Sequence, residues 1–393
     1  MNRLRHARRR GCRRAQRGAV LVVLLAMLVA AGAYALISRV DATQPRLARE
    51  RSTAAALALA REALVGRALA DDNRPGSLPC PDTDDDGVAN TVGGNCTVSY
   101  LGRLPWKTLG LPELRDGDGE RLWYALSPAF RDNPAAEPIN SDTQGLLTLD
   151  GAGGIAAIVF APGPPLAAQA GRPGNRLADY LDGTNADGDE AYASGPPGEA
   201  FNDRALPLGR AELMHAVAAR VGAEALKCLH EFAAAHAGRY PWAADPGASA
   251  AGDYADTAGS RFGRLPEVLA NSAASLGEPS LDWPAGCAFG EPSSWWVRSA
   301  WRELVFFAVA SEAAPDAPPC PLCAGTLAVR NGAANARVVV IVASGMLAGQ
   351  SRASTTDKGV VSNYLESENA SFADGIFERG VPGPNFNDIV AFE

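Results

Sequence analysis

The chain of 393 residues has only four histidines and carries none of the common catalytic fingerprints. It contains no H-E-x-x-H, no G-x-S-x-G and no Walker pattern, which removes the motif-bearing zinc proteases, α/β-hydrolases and P-loop NTPases from consideration. His6 lies in a basic leader, and His215, His230 and His236 fall on one helical stretch without a nucleophile beside them. The chain is therefore read as a non-enzyme. Basic charge is also scarce in the body. Residues 1–18 hold eight arginines and no acid, so the formal net charge of −8 leaves −16 for the remainder. An acidic body is a poor polyanion binder, and no nucleic-acid partner is expected. Residues 19–37, AVLVVLLAMLVAAGAYALI, lack charge altogether. With 47% apolar and 20% charged residues the chain is no disordered segment, and its length suits two globular units. Its 41 glycines and 28 prolines follow no collagen-like period, so many long loops are expected.

The uncharged run would span about 28 Å as a helix, close to the hydrocarbon core of a bilayer. The flanking arginines place residues 1–18 in the cytoplasm and everything after Ser38 across the membrane. Two processing routes compete. Ala33-Tyr34-Ala35 would allow signal peptidase to cut after Ala35, whereas Gln16-Arg17-Gly18-Ala19 ends a basic leader in Gly just before the apolar run. The second junction resembles the prepilin signal of type IV pilins and type II secretion pseudopilins. The resemblance implies cleavage by a prepilin peptidase after Gly18 and methylation of the new N-terminal residue, Ala19. It also implies an inner-membrane, single-pass precursor that packs its N-terminal helix against other pilin or pseudopilin subunits. The body would lie in the periplasm or in a fibre. The family usually has Glu at the fifth mature position; here that residue is Val23, which is closer to minor subunits. Two alternatives stand beside this reading: a single-pass or secreted periplasmic binding protein that does not assemble, and a thiol-disulfide enzyme.

Downstream, LARERSTAAALALAREALVGRALADDN from Leu47 is rich in strong helix formers, with Leu57, Ala60, Leu64 and Leu69 on one stripe. Asn73-Arg74-Pro75-Gly76 should stop the helix, and Pro45 should kink or break it part-way. The rest reads as an imperfect duplication. GRLP recurs at 102–105 and 263–266, RLWYALS (121–127) matches ELVFFAV (303–309), and IAAIVFAPG (155–163) matches VVVIVASG (338–345). Ile158/Ile341, Tyr180/Tyr364 and Phe201/Phe386 pair at nearly constant offset. Phe201-Asn202-Asp203 and Phe386-Asn387-Asp388 read as an aromatic plug followed by an Asx turn. The expected fold class is α+β: a long N-terminal transmembrane helix followed by two tandem pilin-like units, each a helix on an antiparallel sheet in two layers. The expected organisation is a leader (1–18), a transmembrane half-helix (19–38), a first unit (39–208) and a second unit (209–393).

Asp82-Thr83-Asp84-Asp85-Asp86-Gly87 places carboxylates at positions 1, 3 and 5 of a calcium-type loop and Gly at 6. Val88 would offer a carbonyl at position 7 and Asn90 would sit at 9, but position 12 is Gly93, so the loop is incomplete as an EF-hand and Ca2+ is its candidate ligand. Asn185-Ala186-Asp187-Gly188-Asp189-Glu190 reads as a solvated loop, and Asp116-Gly117-Asp118-Gly119 as a turn pair. Cys12 precedes the membrane; six cysteines follow it, an even number that suits an oxidising compartment. Cys80 and Cys96 bracket the acidic loop and a bridge between them would close it. Cys228, Cys287, Cys320 and Cys323 allow three pairings, and two structural disulfides are expected there. The C-x-x-C at 320–323 lacks the strand-to-helix context of a redox motif.

Overall fold

The structure, a computed structural model, describes residues 16–96, 99–133 and 138–393, apart from the side chains of 16–20 and 35–43. The fold is a mixed α+β arrangement of helices and several sheets. Helix α1 (Gln16–Ala70) is one 55-residue element, about 82 Å long, and it runs through Pro45. The expected break at Pro45 is absent; this proline sits in an exposed stretch where the missing N–H costs one backbone bond without forcing a sharp end. The apolar contact of α1 with the body lies in its last third, preceded by an ion pair of Arg49 with Asp118 (3.1 Å). Ala56, Leu57, Ala60, Leu64 and Ala68 are buried at three- and four-residue spacing, and Leu69 is half-buried beside the stripe. Farther up, Leu21–Tyr34 is exposed throughout. Among the described residues no helix is long and apolar enough to cross a membrane. The expected spanning segment, 19–38, is described in its side chains only over 21–34, and residues 1–15 of the leader, with Cys12, lie outside the described residues.

The helix ends where Asp71 turns back on the chain. Its carboxylate accepts from the N–H groups of Asn73 (2.9 Å) and Arg74 (2.8 Å) and pairs with Arg67 (2.7 Å). Burial pushes the Asp71 carboxyl up, but Arg67 and the two N–H donors outweigh it and hold it below its ordinary range.

The first sheet is built on β1 (Leu101–Arg103), β2 (Trp123–Leu126), β3 (Leu147–Leu149), β4 (Ala152–Ala161), β5 (Ala191–Tyr192) and β6 (Arg204–Gly209). Strands β1, β2, β4 and β6 lie side by side, all antiparallel, while β3 and β5 extend the N-terminal half of β4. Helix α2 (Arg210–Ala235) follows directly from β6. The second sheet is β7 (Phe262–Arg264), β8 (Val305–Val309), β9 (Val338–Val342) and β10 (Ile389–Phe392), again neighbours in chain order and antiparallel. The order β1-β2-β4-β6 thus reappears as β7-β8-β9-β10.

The pairing corrects the alignment expected from sequence. Trp123 faces Arg103 and Phe160, and Phe306 faces Arg264 and Ile341. Phe160, not Ile158, is therefore the counterpart of Ile341, and Trp123 matches Phe306 rather than Val305. Each unit also has three layers instead of two. Helix α1 and α2 cover one face of the first sheet and α2 covers the second, with one continuous core running from Leu57 and Leu64 through Val217 and Leu229 to Val340 and Val342. Gly222 lets α2 approach β9 closely, since a Cβ there would lie 3.0 Å from the Val342 side chain. The opposite faces are covered by the long Gly/Pro-rich segments. In the first unit Tyr180, Leu181 and Tyr192 seal Trp123, Ile158 and Phe160; in the second, Tyr364 and Phe372 pack on Phe306 and Phe262.

Candidate functional site

The acidic loop hangs on the edge strand β1. Asp82 N donates to Arg103 O (3.0 Å) and Arg103 N to Asp82 O (2.7 Å), and the Cys80–Cys96 bridge closes the loop from behind. Within it the Asp82 carboxylate is buried and organises the backbone. Its Oδ1 accepts from Asp84 N (3.2 Å) and Asp85 N (2.7 Å), and its Oδ2 accepts from Gly87 N (2.7 Å). Asp86 Oδ1 accepts from Val88 N (2.7 Å). Gly87 has φ +86°, and a Cβ there would meet the Trp106 indole at 2.6 Å, so both conformation and space require glycine.

Asp82, Asp84 and Asp86 each bring a carboxylate oxygen within 4.8 Å of the others. Oxygens sharing one Ca2+ at about 2.4 Å stand no farther apart than about 5 Å, so this triad can close on a hard cation. Asp84 and Asp86 are exposed, whereas burial pushes the Asp82 carboxyl up despite its three N–H donors. A bound cation would oppose that shift. The two further residues of the expected ligand set lie in the same loop. The side-chain oxygen of Asn90 accepts from Thr83 N (2.5 Å) and Thr83 Oγ1 (3.1 Å) and so closes the loop. Val88 is exposed. Asp85, left out of the expected ligand set, adopts φ +69° and turns to Arg121 and Arg103, fastening the loop to the sheet. The second unit has no equivalent: Ala244 pairs with Arg264 where Asp82 pairs with Arg103.

The duplicated motifs form two buried clusters that sequence reasoning did not find. The arginine of each GRLP is sandwiched in aromatic rings. Arg103 lies 4.2 Å from the Trp123 centroid and 4.0 Å from Tyr180; Arg264 lies 3.9 Å from Phe306 and 4.1 Å from Tyr364. Burial lowers both guanidinium pKa values, that of Arg264 to about 10. On the other side of each tyrosine stands a second arginine, Arg172 at 4.5 Å and Arg352 at 4.4 Å.

Beside them lies an acid–amide cluster, again twice. In the first unit Gln169 Nε2 donates to Asp182 Oδ1 (2.7 Å), and Asn202 N (2.7 Å) and Asp203 N (3.2 Å) donate to Asp182 Oδ2. Asp182 N (2.8 Å) and Asn185 Nδ2 (2.9 Å) donate to Asp203 Oδ2. In the second, Gln350 Nε2 donates to Glu366 Oε1 (2.8 Å), and Asn387 N (3.1 Å) and Asp388 N (3.2 Å) to Glu366 Oε2. Glu366 N (3.0 Å) and Asn369 Nδ2 (2.9 Å) donate to Asp388 Oδ2. The Phe-Asn-Asp segments are therefore not a plug and an Asx turn. Their rings are half-buried, and Asp203 and Asp388 are buried acids. Asn185 is fully buried too, so the loop read as solvated is so only over Asp187–Glu190. Asp116 is likewise more than a turn residue. It is buried, gathers Asp118 N, Glu120 N and Gly163 N, and lets Gly117 N reach Thr53 Oγ1 on α1 (2.9 Å).

The remaining cysteines pair as Cys228–Cys287 and Cys320–Cys323. The first ties α2 to the loop before β8; the second closes an exposed turn with Leu322 at its tip, 96% exposed. Backbone of Gly18 and Ala19 belongs to α1, while their side chains lie outside those described. His215 and His230 are exposed, and His236 stacks on Phe232. Comparison with known proteins returns no match to a family model, a curated protein or a solved structure.

Proposed function

We propose that this chain is a structural subunit of a type IV pilus or type II secretion-like envelope machine, a minor pilin or pseudopilin with a doubled head. The observation that carries the reading is the division of α1. Its last third docks on the body through Ala56, Leu57, Ala60, Leu64 and Ala68, while Leu21–Tyr34 presents apolar side chains all round the helix to solvent, Leu21 at 72% and Leu28 at 70% exposure. An apolar surface of that extent needs a partner of similar polarity, a bilayer before assembly and neighbouring helices after it. The basic leader and the Gly18-Ala19 junction supply the processing signal. On this reading a prepilin peptidase removes residues 1–18, the helix anchors the precursor in the inner membrane through 19–38, and the two heads face the periplasm or the outside of a fibre. The three disulfides suit that oxidising side. Sequencing of the mature N-terminus tests it: methylated Ala19 is the expected result, and a chain starting at Leu36 and free in solution overturns it.

The acidic loop fits this reading as a calcium-stabilised element of the first head, with Asp82, Asp84 and Asp86 as ligands. The support is the spacing of the three oxygens and the bridge behind them. Calorimetric titration with Ca2+ should give one site on the wild type and none on an Asp84→Asn/Asp86→Asn variant. Absence of binding at millimolar Ca2+ removes the site.

A further inference from the structure

The two acid–amide clusters have one unusual property in common. In each, three of the four carboxylate oxygens receive all the donors and the fourth receives none. Asp203 Oδ1 and Asp388 Oδ1 are buried without a hydrogen-bond partner, at the same position of the two units. Asp203 and Asp388 are 1% and 4% exposed, so bulk solvent does not supply the missing donors. An ionised carboxylate oxygen in that state carries the full cost of desolvating a charge, whereas a neutral carboxyl leaves only an unpaired hydroxyl, which costs far less. The charge around each pair points the same way. Asp203 faces Asp182 and Asn185, Asp182 in turn faces Gln169, and Arg172, the cation whose charge acts on Asp203, is already paired with Glu120 (3.2 Å). Asp388 faces Glu366 and Asn369, Glu366 in turn faces Gln350, and Arg352, stacked on the neighbouring Tyr364, is paired with Asp142 (2.8 Å). On the flanking loop, Glu368 is engaged with Arg330. Among the described residues none of the four acids of the two pairs is in a salt bridge.

We propose that Asp182/Asp203 and Glu366/Asp388 are twin proton-held clamps, each binding its closing strand to the irregular outer layer with a single proton on the aspartate, so that loss of the proton loosens that layer in both units together. The clamp joins the parts that would move. Asp182 and Glu366 lie in the outer layer, and Asn202-Asp203 and Asn387-Asp388 lead into β6 and β10. The same arrangement is reached with an aspartate in one unit and a glutamate in the other. In agreement, burial first and the neighbouring acid second push the Asp203 carboxyl up to about 7 and the Asp388 carboxyl well above the carboxylate range. The inference does not depend on the proposed assembly role.

Hydrogen exchange of the full-length chain in detergent micelles, followed by mass spectrometry and corrected for intrinsic rates, tests the clamp. Peptides covering 177–203 and 361–388 should lose protection at least tenfold between pH 6 and pH 9, while α2 peptides hold theirs. An Asp203→Asn/Asp388→Asn variant keeps the shape of the protonated acid and should retain protection at pH 9. Equal pH dependence in variant and wild type, or no loss in the wild type, overturns the proposal. Should that variant fail to fold, infrared spectroscopy of the wild type decides. A protonated-carboxyl stretch should persist at pH 6 and fade towards pH 9; its absence at pH 6 overturns the clamp.

Discussion

Replacing Arg264 with leucine gives the clearest measure of what holds the second unit. The guanidinium is fully buried between Phe306 and Tyr364 and donates to the carbonyls of Glu303 and Lys358. Two desolvated cation–ring contacts contribute about 1–2 kcal/mol each, and two buried carbonyls left without donors cost about 1–3 kcal/mol each. Against this, leucine removes the burden of burying a cation. The fall of the guanidinium pKa to about 10, from 12.5, puts that burden at roughly 3 kcal/mol. The balance is a net destabilisation of about 3 kcal/mol. Arg103→Leu should cost less, because its hydrogen bonds to Asn175, Arg121 and Gly174 are all 3.2–3.4 Å long. Arg264→Lys keeps the charge but loses the flat face that fills the space between two rings, and should resemble the leucine variant. Urea unfolding of the full chain in mild detergent, followed by tryptophan fluorescence, would read these differences. A neutral Arg264→Leu, or full recovery in Arg264→Lys, would refute the stacking argument.

The disulfides should separate by loop length. Cys228 and Cys287 are 59 positions apart and their bridge is worth about 4 kcal/mol by chain entropy, against about 2 kcal/mol for Cys320–Cys323 at a separation of 3. Mapping of alkylated thiols during stepwise reduction should show the exposed 320–323 bridge opening first. Gly263→Ala should prevent folding of the second sheet, since a Cβ there would sit 1.8 Å from the Ala244 carbonyl oxygen; recovery of soluble, cooperatively unfolding protein would contradict this. The pH dependence of stability has a defined sign. Asp203 binds its proton more tightly when folded, so its contribution is complete below about pH 4 and is lost as pH rises through about 7. The shift from 3.8 to about 7 sets an upper limit near 4 kcal/mol. Asp71, held below its ordinary range, acts oppositely and loses its contribution only in acid. Urea midpoints at pH 5.5 and pH 8.5 should therefore fall with rising pH in the wild type, less so in Asp203→Asn, and converge in Asp203→Asn/Asp388→Asn.

The helical parts were legible because an amphipathic helix leaves a periodic record. The three- and four-residue spacing of Leu57, Ala60 and Leu64 corresponds directly to buried positions. The strands left no such record. Ile155–Ala161 and Val338–Val342 are buried on both faces, so their sequences do not alternate, and sliding one against the other by one or two residues changes nothing in the pattern. That is why Ile158 was matched to Ile341 when hydrogen bonding makes Phe160 its equivalent. The acidic loop was readable in its spacing, since Asp82, Asp84 and Asp86 do converge, but the fastening of the loop by Asn90 on Thr83 and by Asp85 on Arg121 was not. Both are polar residues in a turn, and their partners lie at positions that the local spacing does not reveal.

The buried acids were missed for a reason that bears on how this fold is held together. Polar residues in a Gly/Pro-rich segment read as solvated, yet such a segment, once used as the outer layer of a core, carries N–H groups with no strand to receive them. Carboxylates and amides supply the acceptors: Asp182 serves Asn202 and Asp203, Glu366 serves Asn387 and Asp388, and Asp116 serves Asp118, Glu120 and Gly163. The arginines pinned on Tyr180 and Tyr364 do the same for the carbonyls; Arg172 takes those of Gly163 and Asp179, and Arg352 those of Ser344 and Asn363. Both units keep these elements because neither outer layer can be buried without them. The acidic loop is under no such constraint, and it is where the units part: Asp82 and Ala244 make the same backbone pair with β1 and β7, but only Asp82 brings charge to it. Exchanging the loop should therefore leave the fold intact. A variant with Asp82–Asn90 replaced by the residues that follow the Ala244 bridge should unfold at nearly the same urea concentration without Ca2+ and lose any stabilisation by it. A collapse of the first sheet in that variant would mean that the loop, like the clamps, is structural.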